Sequence, residues 1–241
     1  MLLCMVFARS AAMAFNRWID RRFDSLNPRT AQREIPAGVI GANPALAFVI
    51  VSSTLFIAST WFINPLCFAL SFVALFVVLF YSYTKRFTAL CHLILGLGLS
   101  LAPIGAYLSV TGTFDILPIF FSLIVLTWVS GFDIIYALQD EAFDRSQHLY
   151  SIPAILGTKN ALIASRFLHL GSGALVIGAG VYGHFNFLYW VGAFVYMFML
   201  VNQHRLVKPD DLSRVNIAFI NNNSIASICF AIFTILALIF K

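Results

Sequence analysis

Apolar residues along this chain come in long unbroken runs divided by short polar breaks. The runs fall near residues 1–16, 39–60, 64–84, 87–110, 116–139, 159–182, 186–203 and 214–240. Within each run the apolar positions are continuous, without the every-second-residue alternation that the strands of a membrane β-barrel need for their lumen and lipid faces. A helix crosses a bilayer core with roughly 20 apolar residues. The pattern therefore predicts an all-α integral membrane protein of about eight transmembrane helices.

The polar breaks are of two kinds. Thirteen of the fifteen Lys and Arg residues lie in or beside four of them: Arg17, Arg21, Arg22, Arg29 and Arg33; Lys85 and Arg86; Arg145, Lys159 and Arg166; Arg205, Lys208 and Arg214. The breaks between these, Asn64-Pro65, Thr111 to Asp115 and Tyr182 to Asn186, hold none, and Lys241 stands alone at the far end. Basic residues are retained on the cytoplasmic side of a membrane. With eight spans the four basic connections are alternate ones, so the expected location is the cytoplasmic (inner) membrane, multi-pass, with all four facing the cytoplasm.

Composition agrees, with 61% hydrophobic and 10% charged residues, where a soluble domain carries about 25% charged. The net charge of +5 is accounted for by topology, and no basic soluble surface is left for nucleic acid. No obligate protein partner is evident; the expected surroundings are membrane lipids. Cys4, Cys67, Cys91 and Cys229 are isolated within apolar runs and have no ligand spacing. The histidines are equally dispersed: His148, His184 and His204 read as loop or interface residues, and His92 as a buried, satisfied histidine with a cavity-lining role as the alternative. No linker divides the chain, which reads as a single domain over 1–241.

Chemistry is concentrated at two places 120 residues apart. Arg9, Asn16, Asp20 and Asp24 fall at steps of seven, four and four, and Asp133, Tyr136, Asp140 and Asp144 at steps of three, four and four. On a helix such steps place side chains on one face, with Glu141 pointing elsewhere. The shared rhythm suggests a four-helix half repeated once. Solvated helix ends paired with Arg17, Arg21 or Arg145 would be the plain reading. Ionisable residues in spanning segments, however, mark partners or cavities, and carboxylate clusters hold divalent cations. A diphosphate cannot be held by carboxylates directly, but Mg²⁺ takes oxygen ligands and shares them with phosphates. Arg29, Arg33, Lys85, Arg86 and Arg145 are the nearby cations that would complete neutralisation, and a metal so placed helps a C–O bond break.

These residues resemble the signatures of a known family. Asn16-Arg-Trp-Ile-Asp20-Arg-Arg-Phe-Asp24, followed by Asn27-Pro28-Arg29-Thr30 and Arg33, is similar to the first motif of the UbiA-type intramembrane aromatic prenyltransferases. Asp133-Ile-Ile-Tyr136-Ala-Leu-Gln-Asp140-Glu-Ala-Phe-Asp144 is similar to the second. Tyr81-Ser-Tyr-Thr-Lys85-Arg86 resembles a third element, with Ser82 where proline is usual. The resemblance covers essentially the whole chain and looks closest to the 4-hydroxybenzoate polyprenyltransferases.

It implies a helical bundle around a cavity open to lipid, and Mg²⁺-dependent transfer of a polyprenyl group from a polyprenyl diphosphate to a small aromatic acceptor in lipoquinone biosynthesis. 4-Hydroxybenzoate is the first expectation and 1,4-dihydroxy-6-naphthoate the alternative. By resemblance Asn16, Asp20, Asp24, Asp140 and Asp144 would hold metal. Lys85 and Arg33 would bind diphosphate, Arg86 the acceptor carboxylate, and Tyr136 would face the allylic cation, with Arg29, Asp133 and Arg145 as further substrate contacts. The apolar runs, rich in Phe (25 in all), would wall the prenyl tail, although packing against lipid accounts for most of them. The family resembles nine-helix bundles whose first Asp motif follows the second helix. Here it follows one apolar segment, so the chain is expected to lack the first helix. A secondary transporter and a CDP-alcohol phosphatidyltransferase are the rivals. The first usually holds its ionisable residues near the midplane on broken helices, and the second needs an Asp-Gly and Ala-Arg signature absent here.

Overall fold

The computed structural model describes residues 1–240; Lys241, which the charge pattern leaves alone on the non-cytoplasmic side, lies outside the described residues. Eight long helices follow the eight apolar runs: α1 (Leu2–Ile19), α3 (Ala42–Trp61), α4 (Pro65–Thr84), α5 (Cys91–Thr111), α6 (Ile116–Ala137), α8 (Ile152–Tyr182), α9 (Phe187–Leu206) and α11 (Asn223–Ile239). Three short ones accompany them: α2 (Arg21–Leu26), α7 (Glu141–Ser146) and α10 (Val215–Ile217). By length and composition six are able to cross a membrane: α3, α4, α5, α6 with its continuation, α8, and the segment Val215–Ile239. α1 falls short of that measure, carrying Arg9 and Arg17 in 18 residues, and so does α9, which ends on His204 and Arg205.

The turns free of Lys and Arg start helices by side-chain capping. Asn64, Asp115 and Asn186 accept from the backbone N–H of Cys67, Leu117 and Leu188, and Pro65 occupies the first turn of α4, where a missing N–H costs nothing. α8 begins earlier than the predicted 159. Its first turn is separated from the rest by Gly157, at φ +76°, a conformation glycine adopts without strain.

Neighbours in the bundle are α1 with α3 and α4, then α4 with α5, α5 with α6, α6 with α8, α8 with α9, and α9 with α11. An aromatic core lies among α6, α8, α9 and α11, where Tyr189, Tyr196 and Ala193 are buried against Trp128, Phe121 and Phe230. Tyr196 and Ser172 share a 2.7 Å hydrogen bond there, and Tyr189 donates to the Val176 carbonyl, so both phenols are satisfied. On α1, by contrast, only Cys4 and Ala11 are buried, and apolar side chains such as Leu2, Leu3, Met5 and Val6 point outward. In a lipid setting such a face is solvated by acyl chains.

One close approach positions the site. A β-carbon at Gly96 on α5 would lie 2.5 Å from the carbonyl oxygen of Leu126 on α6, so only glycine allows the two backbones to come this near. One turn away along α5, His92 thereby reaches Asp133 on α6.

Candidate functional site

Both aspartate segments break their helices at the middle acid. α1 ends at Ile19, Asp20 adopts φ −92° and ψ 4°, and α2 resumes at Arg21. α6 ends at Ala137, a 3₁₀ turn carries Leu138–Asp140, Asp140 adopts φ −105° and ψ 5°, and α7 resumes at Glu141. The uninterrupted helical stripes predicted from the spacing are thus corrected to two kinked segments. The carboxylates nevertheless converge. A cavity of about 260 Å³ is lined by Asn16, Asp20 and Asp24, by Arg29, Arg33, Lys85 and Arg86, and by Asp133, Tyr136 and Asp140. Asp144 sits behind the wall, fully buried.

Each of the four motif aspartates faces one basic side chain. Arg86 lies 3.3 Å from Asp20, Arg33 2.7 Å from Asp24 and Lys85 2.7 Å from Asp144. Arg29 grips Asp140 with two nitrogens, one of them Nε at 3.0 Å from Oδ1, and Asn27 adds a donor to the same oxygen at 2.9 Å. Local structure aims these cations. The side chain of Asn27 accepts from the Arg29 backbone N–H at 3.0 Å, folding the connection into a turn that presents the guanidinium. Arg86 also donates to the Ile19 carbonyl at 2.7 Å, capping α1 at the end where its dipole is negative.

Charge balance tunes the groups outside the spans. Burial pushes Asp20 up to about 6, Arg86 pulling it down and Asp24 pushing it further up. At Lys85 burial works against the charged form, but Asp144 beside it prevails, so the ammonium is held above its usual range.

Tyr136 presents its ring to this cluster. The Arg29 guanidinium carbon lies 5.3 Å from the ring centroid and Nη1 donates to the phenol oxygen at 3.1 Å. Phe219 lies against the same ring at 4.3 Å. A cation over an aromatic face is favourable by electrostatics, and the cavity side of Tyr136 already holds one.

The site can be tested against a divalent cation by its donors. Asp20, Asp24, Asp140 and Asp144 supply hard anionic oxygens and Asn16 an amide oxygen, the set Mg²⁺ prefers. Asp24 Oδ2 and Asp144 Oδ2 are buried without a hydrogen-bond partner, oxygens that otherwise carry an uncompensated desolvation cost. Among the described residues no three of His, Cys, Asp or Glu are gathered closely enough to hold an ion as they stand. The paired cations occupy the positions between them. The donor chemistry fits the metal, and the carboxylates would exchange their basic partners for it.

Two of the residues predicted from sequence lie elsewhere. Arg145 is corrected: it pairs with Glu141 at 3.0 Å, donates to the Ala154 carbonyl at 2.9 Å and lines a separate surface depression with His148 and Tyr150. The kink at Asp140 turns it outward. Arg9 is exposed and does not line the cavity. His204, read as a loop or interface residue, instead lies in the last turn of α9, 2.9 Å from His169. His92 fulfils both of its readings, being buried, bonded and cavity-lining. Tyr81, Ser82, Asn27 and Thr30 also line the cavity. They stand inside the quoted motifs, which was their only signal.

A family model described as the UbiA prenyltransferase family matches residues 1–236. A curated protein of Tolumonas auensis named 4-hydroxybenzoate octaprenyltransferase is 31% identical over 229 residues, 92% of this chain and 78% of that one. A solved UbiA homologue of Aeropyrum pernix K1, 32% identical, superposes with a TM-score of 0.89 over 98% of this chain and 87% of that one. A UbiA homologue of Archaeoglobus fulgidus bound to GPP and Mg²⁺ shares the fold at a TM-score of 0.74 and 18% identity, over 98% of this chain and 86% of that one.

Proposed function

The chain belongs to the UbiA prenyltransferase family and is an aromatic polyprenyltransferase of the membrane, and on that premise we propose that it transfers a polyprenyl group from polyprenyl diphosphate to 4-hydroxybenzoate, a step toward lipoquinones. The observation that carries this reading is the one-to-one pairing of four aspartates with four cations around one cavity. Such a site is close to neutral at rest. It would accept divalent cations and a diphosphate together by exchange, the carboxylates turning to metal, Arg29, Arg33 and Lys85 to phosphate oxygens, and Arg86 to the acceptor. The name of the Tolumonas relative supports the acceptor.

Asp20, Asp24, Asp140, Asp144 and Asn16 would hold Mg²⁺, which supplies Lewis-acid stabilisation of the departing diphosphate. The chain's own residues do the rest. Arg29, Arg33 and Lys85 take up the charge that develops on the leaving oxygens, an electrostatic term worth orders of magnitude in rate when prearranged. Tyr136 offers its ring face to the allylic carbon as positive charge appears there. Arg86, whose guanidinium carbon lies 4.9 Å from the Tyr83 ring centroid, would meet the acceptor carboxylate once Asp20 releases it. Basic residues are concentrated in the connections that carry the site, and by the charge rule this supports a site on the cytoplasmic face of the inner membrane.

The test is purified protein in lipid nanodiscs with Mg²⁺, an all-trans polyprenyl diphosphate and, separately, 4-hydroxybenzoate and 1,4-dihydroxy-6-naphthoate. Prenylated 4-hydroxybenzoate is the expected product. Turnover of the naphthoate alone would move the acceptor assignment to the alternative, and prenylation of some third acceptor with neither of these would overturn it.

A further inference from the structure

A pair deeper in the cavity is left over by the diphosphate site. Asp133 lies on α6 one turn before Tyr136 and lines the cavity, yet none of the four basic side chains pairs with it. Its partner is His92 of α5, whose Nδ1 stands 2.6 Å from Asp133 Oδ2. The other ring nitrogen of His92, Nε2, accepts from the backbone N–H of Ile152 at 3.3 Å. That N–H opens α8 and has no helical carbonyl to bond.

The two contacts fix the tautomer. A nitrogen that accepts from a backbone amide carries its lone pair there, so in neutral imidazole the proton sits on Nδ1 and is donated to Asp133. The backbone around the ring is tied as well. Gly96 brings α5 against α6, the Cys91 thiol donates to the Tyr150 carbonyl at 3.5 Å, and the Tyr150 N–H donates to the Lys85 carbonyl at 2.7 Å. His92 itself is buried. Asp133 Oδ1 receives no hydrogen bond from any described residue, and the carboxylate remains partly open, 23% exposed.

Resting on the reading of this chain as an aromatic prenyltransferase, we propose that His92 is a positioning residue that holds Asp133 with its free oxygen toward the acceptor, as the group that takes the proton the acceptor ring gives up. The balance is complete without an oxidant. The allylic C–O bond breaks and its pair leaves with diphosphate. A ring π pair forms the new C–C bond, the ring carbon's proton passes to the Asp133 carboxylate, and the C–H pair restores aromaticity. The acceptor class this favours is a phenol small enough to lie between Tyr136 and the His92–Asp133 pair.

Three variants test it, each with transfer rate, donor KM and diphosphate released without product as readouts. The amide nitrogen of H92N reaches the place of Nδ1 and should retain most transfer. H92Q reaches the place of Nε2, keeps Ile152 and abandons Asp133. H92Q and D133N should each lose about a hundredfold in kcat, the lower bound of a general base's contribution. Donor KM should stay unchanged, while a larger share of the diphosphate is released to water because ionisation proceeds without a poised acceptor. H92N failing where H92Q works would show that the ring serves Ile152 alone and would overturn the proposal. So would a parallel loss of donor KM and kcat in all three, or full activity of D133N. Should H92Q not fold, isosteric D133N carries the same decision. If wild type prenylates no aromatic acceptor, the functional reading itself fails, an outcome distinct from active wild type with coupled, active variants.

Discussion

The two aspartate segments share a spacing and a kink, but they are not equivalent. Residues 16–24 contain the most open of the four acids, Asp20, whose side chain is 25% exposed and meets Arg86 at 3.3 Å, whereas Asp24 is 8% exposed beside Arg33. In residues 136–144, Asp140 is gripped by Arg29 and Asn27, and Asp144 is 0% exposed behind Lys85. The cations are still less symmetric. All four come from residues 29–86, while the base nearest the second segment in sequence, Arg145, turns away to Glu141. Any repeat in the chain therefore extends to its acids and not to its bases. The second segment is neutralised by Arg29 of the first connection and Lys85 of the connection after α4, which joins the two halves of the bundle across the cavity.

The largest test of this contrast removes the acids one at a time. Asp20→Ala, Asp24→Ala, Asp140→Ala and Asp144→Ala should each lower prenyl transfer by roughly a hundredfold or more, as loss of a transition-state charge partner does, or about 2.7 kcal/mol. Stability should split them. Asp144→Ala strands Lys85 beside a buried space and should cost about 3 kcal/mol, the low end for breaking a buried pair because Lys85 is partly exposed. Asp20→Ala should leave the unfolding midpoint in detergent almost unmoved. Equal midpoints for the two would erase the distinction between an open and a locked acid.

A second test concerns the exchange of partners. Because each carboxylate holds a cation at rest, Mg²⁺ or Mn²⁺ alone should bind weakly, and an unreactive prenyl diphosphate analogue should tighten it at least about fivefold, with the reciprocal effect of metal on the analogue required by linkage. Calorimetry of each ligand with and without the other measures this. Independent binding would mean that the pairs do not open together. Arg29→Ala should shrink the coupling more than Arg86→Ala, since Arg29 holds the more tightly bound acid.

The smallest effect separates ring from hydroxyl at Tyr136. Tyr136→Leu should reduce kcat by about tenfold, in keeping with a partly desolvated cation–π contact, whereas Tyr136→Phe, which loses only the Arg29 hydrogen bond, should stay within about threefold of wild type. Rates measured at saturating donor would decide. Equal losses in both variants would assign the residue's role to Arg29 placement instead of the ring face.

Much of this molecule is legible in one dimension. Runs of about 20 apolar residues admit one structure in lipid, because every backbone amide must be bonded within its own segment, and so the helix ends at Thr84, Thr111 and Tyr182 fall within two residues of the runs that predict them. The acids are legible too, since few costs exceed that of a carboxylate in an apolar segment, and Asp20, Asp24, Asp140 and Asp144 announce a partner by their presence alone. Which partner each one takes is not encoded locally. Arg29 crosses 111 residues to Asp140, Lys85 reaches Asp144 while its neighbour Arg86 reaches Asp20, and His92 meets Asp133 only because Gly96 lets two helices close on each other. The kinks at Asp20 and Asp140 are equally hidden, since a four-residue spacing reads the same along a straight helix as along a broken one. Periodicity and transfer free energy act on each segment separately and are written in its sequence. Pairing between charges depends on distances set by how all the helices pack, and only the tertiary structure decides those.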